Sequence, residues 1–341
     1  MKKEVTMTDI SAKVGVSVVT VSKALSGKSG VGKQLREEIL SEAERQGYIP
    51  AESKRAEKKQ IVVGVIVAER FISEKQSFYW KMYQELSQEA MRHEGFSLFE
   101  VVSGEEELAC EVPKILRFKK ADVLVVLGVF HRSYLTMLNE QSEIPLFSLD
   151  SVYEEVDGDA IIVDNSMGGY LMTNYLLERG HEKIGFVGTL HMTPSIDDRY
   201  LGYYKAMVLA KKTVEQSWIV DDRSTETGKV GAEGTLCLPD PENMPSAFFC
   251  NCDFTARLMI GKLKEAGYRV PEDISVVSFD HYLPEENPEV SLTTYEVNMK
   301  AIVRQMMTLI KARLEETDWP FCTILARGRL IEGNTVREIT R

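Results

Sequence analysis

The chain contains 341 residues, five of them cysteine, and carries a formal net charge of −11 at pH 7. This length is too great for one small module and predicts two or three domains. Residues 1–60 contain 12 Lys and Arg against 8 Asp and Glu, a net of +4, so the remaining residues carry −15. A basic head on an acidic body favours a head that meets a polyanion.

The sequence does not indicate a targeting segment, a membrane span or a metal centre. No apolar run approaches the ~20 residues of a membrane span, and the N-terminus lacks the apolar core of a secretion signal. The odd number of cysteines without C-x-x-C spacing favours reduced thiols, so we expect a cytoplasmic protein that meets no membrane. Cys250 and Cys252 could suggest a metal, but alternate strand residues point to opposite faces, so we expect neither metal nor cofactor.

Residues 8–25 predict two short helices that are broken at Gly15, a residue suited to a turn with positive φ. Thr8 is predicted to cap the first helix and Ser17 the second, because short oxygen-bearing side chains accept the unpaired amides of a first turn. The pattern is typical of a helix-turn-helix, whose second helix lies in a DNA major groove. An ordinary pair of surface helices is the alternative.

The head continues through a loop and a third helix, predicted from about Gly32 to Gln46. Residues 51–60 are small and charged, which indicates a linker. We therefore predict an all-α head at 1–50, a hinge at 51–60 and a larger core at 61–341.

From residue 61 apolar strands alternate with amphipathic helices. The predicted strands are Ile61–Ala68, Phe96–Val102, Val123–Val129, Ile144–Asp150, Ala160–Val163, Ile184–Val187, Ala247–Cys250, Ile274–Phe279 and a crossing strand, Ser291–Val297. The predicted helices are Tyr79–His93, Glu106–Phe118, Met167–Arg179, Ser195–Lys211, Phe254–Ala266 and Met299–Glu315. Apolar strands between helices indicate parallel sheets covered on both faces, here in two doubly wound α/β lobes. We assign 61–162 and 295–320 to the first lobe, and 163–294 and 321–341 to the second.

Open α/β lobes bind ligands beyond the carboxyl ends of their strands, so two lobes predict a small-molecule site in the cleft between them. The candidate residues lie at those strand ends and in two loops: Asp150, Asp164, Asp253, Asp280, Phe78–Trp80 and Pro194–Arg199.

Short motifs along nearly the whole chain follow one order and spacing. They are Gly15-Val16-Ser17, Thr20-Val21-Ser22, Ala24–Gly27, Gly47–Pro50, Asp164-Asn165, Gly180–Gly188, Arg199 with Gly202-Tyr203, and Val270–Asp280. This ordered set resembles the lactose-repressor (LacI/GalR) family. The resemblance implies a DNA-binding head on a periplasmic-binding-protein-like core, which senses a small-molecule effector and forms a homodimer. It implies a transcriptional regulator, usually a repressor, whose macromolecular partner is double-stranded operator DNA.

The resemblance also implies which head residues meet DNA. Val18 and Val19 match the positions that read base edges, with Lys23 one turn on; packing within the head is the alternative for the two valines. A valine can only pack on a thymine methyl or exclude other bases, whereas a lysine can donate to guanine. Further candidates, suited to phosphate contacts, are Thr8, Ser17, Thr20, Ser22, Lys28, Ser29, Lys54 and Arg55.

The hinge departs from the family pattern. The family carries a short hinge helix there, with a leucine that wedges into the minor groove. Counting from Pro50 places Glu57 at the wedge position, where a carboxylate would be repelled by phosphates and lose its hydration. We therefore predict that this head lacks the wedge and bends its operator less than its relatives do.

In the cleft, the resemblance implies an aromatic pair that stacks on the ligand, which here is Tyr79 and Trp80, whereas Phe78 is assigned to the core. Arg199 would offer a rigid donor fork, Asp280 an acceptor, and Ser195 lies at the start of the same helix as Arg199. For Arg199 the alternative is a salt bridge with Asp197 or Asp198, and for Asp280 it is a contact between lobes.

Two cleft positions depart from the family. Arg223 replaces a frequent aromatic residue and would add a second cation, and Cys252 replaces an asparagine. Two arginines favour a sugar or a related polyhydroxylated or anionic metabolite.

Two other classes of protein fit less well. A solute-binding protein without DNA activity would predict a secretion signal and no basic head. An enzyme would need a nucleophile with its base, paired acids or a metal cluster, yet the five histidines are scattered and no G-x-S-x-G motif or phosphate loop occurs. We therefore predict a regulator and not an enzyme.

Overall fold

The computed structural model describes residues 5–25, 30–46, 48, 60–72, 77–283, 290–315 and 319–339. The chain divides into two units, Met1–Gln60 and Ile61–Arg341. Within the described residues of the first unit there are three helices: α1 (Met7–Val14), α2 (Val18–Leu25) and α3 (Lys33–Gln46). In the part of the chain that is described, no helix combines the length and apolarity that a membrane span needs.

The three helices of the first unit enclose a small apolar core. Its buried members are Ile10, Val21, Ala24, Ile39 and Ala43. Gly15 has a φ of 75° and ends α1, as the sequence predicted. The Ser17 hydroxyl accepts a hydrogen bond from the Thr20 amide at 3.1 Å, so Ser17 caps α2, also as predicted.

The predicted cap of α1 is wrong by two residues. Thr6, not Thr8, precedes the helix, and its side chain accepts from the Asp9 amide. The Asp9 carboxylate in turn accepts from the Thr6 amide at 2.8 Å, which closes a reciprocal capping box. Thr8 is exposed in the first turn. Asp9 decides the position of the cap, because only Thr6 lies three residues before it.

The second unit contains two six-stranded sheets. The first has the order β11-β5-β4-β3-β1-β2, and the second has the order β12-β10-β9-β8-β6-β7. Every pairing within them is parallel except that of β10 with β12. The strands are β1 (Val62–Ala68), β2 (Phe96–Val102), β3 (Val123–Leu127), β4 (Leu146–Leu149), β5 (Gly158–Val163), β6 (Ile184–Val187), β7 (Ile219–Val220), β8 (Ala247–Cys250), β9 (Ser275–Asp280), β10 (Thr293–Glu296), β11 (Thr323–Ala326) and β12 (Arg329–Ile331).

Helices cover both sheets and so define two lobes. The first lobe carries α4 (Phe78–Arg92), α5 (Gly104–Leu108), α6 (Lys114–Arg117), α7 (Arg132–Gln141) and α11 (Met299–Glu315). The second carries α8 (Asn165–Glu178), α9 (Pro194–Leu209) and α10 (Asp253–Glu265). One contiguous apolar cluster contains buried residues of both lobes, among them Phe147 and Phe249. The lobes therefore share part of their core.

Three local predictions differ from the structure. The helix predicted over Glu106–Phe118 is two short helices, α5 and α6, because Cys110 adopts a φ of 52° and Pro113 precedes α6. Helix α7 and the two-residue strand β7 were not predicted. Strand β7 is too short to show a period, whereas the buried positions of α7, Tyr134, Leu135 and Leu138, follow helical spacing and were missed.

The C-terminal segment serves both lobes. We assigned residues from 321 onward to the second lobe, but β11 pairs with β5 of the first, Thr323 opposite Ala160. The predicted crossing strand is β10, which pairs with β9 in the second sheet. The chain thus passes between the lobes after β5, between β10 and α11, and between β11 and β12, and the strand ends of both sheets face one cleft.

Candidate DNA-contacting helix and effector cleft

Helix α2 presents one exposed face. Val18 is 41% exposed and Val19 is 64% exposed, whereas Val21 is fully buried. Ser22 and Lys23 are exposed as well. Residues four apart on a helix are neighbours, so residues 18, 19, 22 and 23 form a continuous strip. The two valines therefore do not pack inside the head, which was the alternative reading of the sequence.

The remaining head candidates fall into two groups. Ser17 is exposed, and its hydroxyl lies 2.8 Å from the hydroxyl of the half-buried Thr20. The others, together with Glu57 of the hinge, lie outside the described residues: Lys28, Ser29, Lys54 and Arg55.

Arg199 on α9 lies at the centre of the cleft, with a 6% exposed side chain. Its Nε donates to Asn165 Oδ1 at 2.9 Å, and its Nη1 donates to the Asn251 carbonyl at 2.5 Å. Its Nη2 lies 3.1 Å from Asp280 Oδ1. The guanidinium also stacks over the Phe279 ring, 3.8 Å from its centroid. The ion pair with Asp280 replaces the predicted alternative with Asp197 or Asp198.

Arg199 is positioned by an unusually close approach of α9 to α8. A Cβ atom at Gly202 would lie 2.1 Å from the Ser166 carbonyl oxygen, and one at Gly169 would lie 2.3 Å from the Arg199 carbonyl oxygen. No side chain fits at either position without moving a backbone. The two glycines therefore set the distance between Arg199 and Asn165, the first residue of α8.

Two carboxylates face this region from opposite lobes. Asp150 follows β4 in the first lobe, and Asp280 ends β9 in the second; both are buried and have positive φ values of 68° and 100°. Burial raises the pKa of Asp150 to about 6, against the opposing effects of Arg199 and the Tyr79 hydroxyl. Burial raises the pKa of Asp280 to about 7, against the effect of Arg199.

The predicted aromatic pair is divided by the structure. Tyr79 faces the cleft beside Asp150, and burial raises the pKa of its hydroxyl well above its usual value. Trp80 instead packs on Tyr83 and Phe99, with ring centroids 5.6 and 5.4 Å away. Phe78, which the sequence assigned to the core, contacts Tyr282 of the second lobe at 5.5 Å. Phe78 also packs against the apolar cluster that the two lobes share, in agreement with its predicted core role.

Arg223 is already neutralised by its neighbour in sequence. Its Nε and Nη2 donate to the two Asp222 oxygens at 2.9 and 2.8 Å. Burial alone would raise the pKa of Asp222, but hydrogen bonds from Arg223, Thr255 and Asn251 lower it to about 2. The expected pair of free cations is therefore absent from the described part of the cleft, because Arg199 and Arg223 each face a carboxylate.

Comparison with known proteins identifies the chain. The family profile described as bacterial regulatory proteins, lacI family, matches residues 6–51, and a periplasmic binding protein-like domain matches residues 173–336. An HTH-type transcriptional repressor PurR of Haemophilus influenzae is 30% identical over 319 residues, which cover 92% of each chain. The chain belongs to the LacI family of bacterial regulatory proteins. It is a DNA-binding transcriptional regulator, and the predicted resemblance is confirmed.

Solved structures confirm the fold of this LacI-family chain. A lac repressor dimer bound to operator and the anti-inducer ONPF aligns with a TM-score of 0.67 at 20% identity, over 98% of this chain and 100% of the other. A complex of the transcriptional regulator CelR with cellobiose aligns with a TM-score of 0.67 at 20% identity, over 97% of this chain and 100% of the other. The predicted fold class, a helix-turn-helix head with a two-lobed α/β core, is correct.

The other strand-end candidates hold the LacI-family scaffold together. Asp253 accepts from the Ser278 and Thr294 hydroxyls at 2.6 and 2.7 Å, and Asp164 caps α8. Ser195 lies in the first turn of α9, with its hydroxyl 3.0 Å from that of Thr193. Cys252, in place of the family's asparagine, caps α10 through its sulfur. These contacts fix the elements that carry Arg199 and Asp280.

Proposed function

We propose that this LacI-family regulator is a cytoplasmic, dimeric repressor whose operator affinity changes when a small molecule binds between the two lobes. The relatives support repression and dimerisation: the Haemophilus protein is named a repressor, and the solved lac repressor is a dimer on its operator. A two-fold operator would then present one half-site to each head. The boundaries predicted for head, hinge and core belong to this proposal.

In this proposal α2 reads the operator. The observation that carries it is the exposed strip of Val18, Val19, Ser22 and Lys23, opposite a buried Val21. Val18 and Val19 contact base edges through thymine methyl groups, and Lys23 donates to a guanine. The other proposed contacts are to phosphates, from Thr8, Ser17, Thr20, Ser22, Lys28, Ser29, Lys54 and Arg55.

The effector occupies the cleft lined by Asp150 and Tyr79 of the first lobe and Arg199 and Asp280 of the second. A ligand that contacts both lobes binds their closed arrangement more tightly than an open one. It shifts the equilibrium between arrangements only by this difference in affinity. The carboxylate oxygens accept from ligand hydroxyls, and the buried Phe279 keeps the Arg199 guanidinium in place. A polyhydroxylated ligand fits this set better than an anion does.

The DNA part of the proposal is tested by selecting an operator from random duplexes with the full chain, then measuring affinity by fluorescence anisotropy. We expect Val19→Ala to weaken binding about five- to tenfold, because two buried methyl groups are lost. The control is Val208→Ala, the same change at a half-exposed position of α9, which leaves affinity unchanged.

Affinity for the selected operator is also expected to fall steeply with salt, since each neutralised phosphate releases counterions. The proposal is contradicted if no sequence is enriched. It is equally contradicted if Val19→Ala and Val208→Ala bind the operator alike.

A further inference from the structure

Formal charges in the cleft do not balance. Arg223 pairs with Asp222, and Arg199 pairs with Asp280. Asp150 has no ion-pair partner among the described residues, although its side chain is only 8% exposed. The two arginines therefore leave Asp150 without a cation; the neighbouring buried Asp253 also has no ion pair, but it accepts from two hydroxyls.

One oxygen of Asp150 also lacks a donor. Tyr79 lies close enough to influence the pKa of the carboxylate, and Oδ1 accepts no hydrogen bond within the described residues. Asp280 Oδ1 also accepts none there, but it has Arg199 as an ion-pair partner. A buried carboxylate oxygen without a donor costs free energy, and an ionised one costs far more. The Asp150 side chain is over nine-tenths buried, faces the cleft and requires a partner that the described chain does not supply.

Aromatic rings surround the same region. Tyr79 contacts Phe71 and Phe78 edge-on, with centroids 5.2 and 5.6 Å apart, and Phe78 contacts Tyr282 at 5.5 Å. Three of these rings come from the first lobe and Tyr282 comes from the second. Aromatic faces attract cations, and desolvation strengthens that attraction.

We infer that the effector carries a protonated amine, as an amino sugar or another polyhydroxylated amine does, and that its ammonium group binds Asp150 beside these rings. This inference rests on the proposed function, in which the effector occupies the cleft. An ammonium group donates three hydrogen bonds and supplies the missing charge. The ligand hydroxyls remain available to Arg199 and Asp280.

Other ligand classes leave the charge unbalanced. A phosphate or carboxylate would add negative charge beside Asp150 and would compete with Asp280 for Arg199. A neutral sugar could donate to Oδ1 but would leave the buried carboxylate charge uncompensated. The inference thus replaces the anionic ligand that the two arginines suggested in the sequence.

The test compares matched probes on the full chain by calorimetry and thermal shift at about pH 7. The probes are glucosamine, galactosamine and mannosamine, each with its parent hexose and its N-acetyl derivative, and glucose 6-phosphate as the anion. We expect at least one hexosamine to bind about tenfold or more tightly than both of its neutral counterparts, the size of effect that a charge-assisted hydrogen bond gives. A hexose or the phosphate that binds as tightly as any amine overturns the inference, and so does a panel in which no amine binds.

Asp150→Asn removes the charge and keeps the shape. It is expected to reduce hexosamine affinity at least tenfold, whereas the control Asp157→Asn, at an exposed position of the same lobe, leaves it unchanged. If an amine binds wild type and Asp150→Asn with equal affinity, its ammonium group does not contact Asp150. That result overturns the inference. If instead a neutral hexose binds wild type and its binding is lost in Arg199→Ala, the effector is not an amine. The proposed effector site in the cleft would then still be supported.

The pH dependence separates an amine from a neutral ligand. Asp150 faces Tyr79, Tyr153, Arg199 and Asp280. Because burial raises the pKa of Asp150 to about 6, its carboxylate ionises between about pH 5 and 7, where a hexosamine is still largely protonated. Hexosamine affinity should therefore rise several-fold over this range in wild type and clearly less in Asp150→Asn, where only Asp280 still titrates. A flat profile in wild type contradicts the inference.

Discussion

The chemistry of the cleft depends on a few individual side chains. The sequence predicted only in part where these side chains point. Arg199 and Asp280 were predicted from the resemblance, and the structure places them 3.1 Å apart. Phe78 packs against the core as predicted, but Trp80 points away from the expected ligand position. Successive helix residues point about 100° apart, and the sequence does not fix the starting angle of α4. The ion pair between Arg223 and Asp222 was not predicted, although the two residues are adjacent. The side chains of adjacent residues usually point in different directions.

The capping box of α1 gives a prediction at the same scale. Thr6→Ala removes the side chain that accepts from the Asp9 amide, and we expect it to destabilise the head by about 0.5–2 kcal/mol. Amide hydrogen exchange of α1 in the full chain measures the loss. Thr8→Ala is the matched control, because Thr8 is exposed and follows the cap. Equal effects of the two substitutions would contradict the assignment of the cap.

At the scale of elements, the pattern of strands and helices was largely predictable, because buried parallel strands are continuous apolar runs. Strand β2 matches its predicted bounds, Phe96–Val102, and so do β6 and β8. The placement of β11 was not predictable. Its pairing with β5 joins residues more than 160 positions apart, and nothing local in Thr323–Ala326 specifies which sheet receives it.

The crossing of α8 and α9 supplies a second prediction. Gly202→Ala places a Cβ 2.1 Å from a backbone oxygen, so we expect a loss of about 1–3 kcal/mol and a shift of α9 that weakens effector binding. Gly261→Ala, in α10 with no atom within 4 Å of the added Cβ, is the control and should stabilise by about 0.5–1 kcal/mol. Thermal unfolding of both variants compares them directly. A neutral Gly202→Ala would show that the close approach does not position Arg199.

At the scale of the whole molecule, a basic head of net +4 is joined to a body of net −15. This division favours contact between DNA and the head over contact between DNA and the body. Three crossings of the chain and a shared apolar cluster connect the two lobes. If effector binding changes operator affinity, operator binding must change the cleft by the same free energy.

The cleft and the head are therefore expected to be coupled in both directions. This coupling can be tested without knowing the effector. The measurement is hydrogen–deuterium exchange of the full chain with the selected operator and with a scrambled duplex of equal length. The Tyr282 amide, which donates to Asp253 at 3.3 Å, reports on the cleft. We expect the operator, but not the scrambled duplex, to change exchange around residues 279–283 as well as in α2. Exchange that changes only in the head would contradict the account.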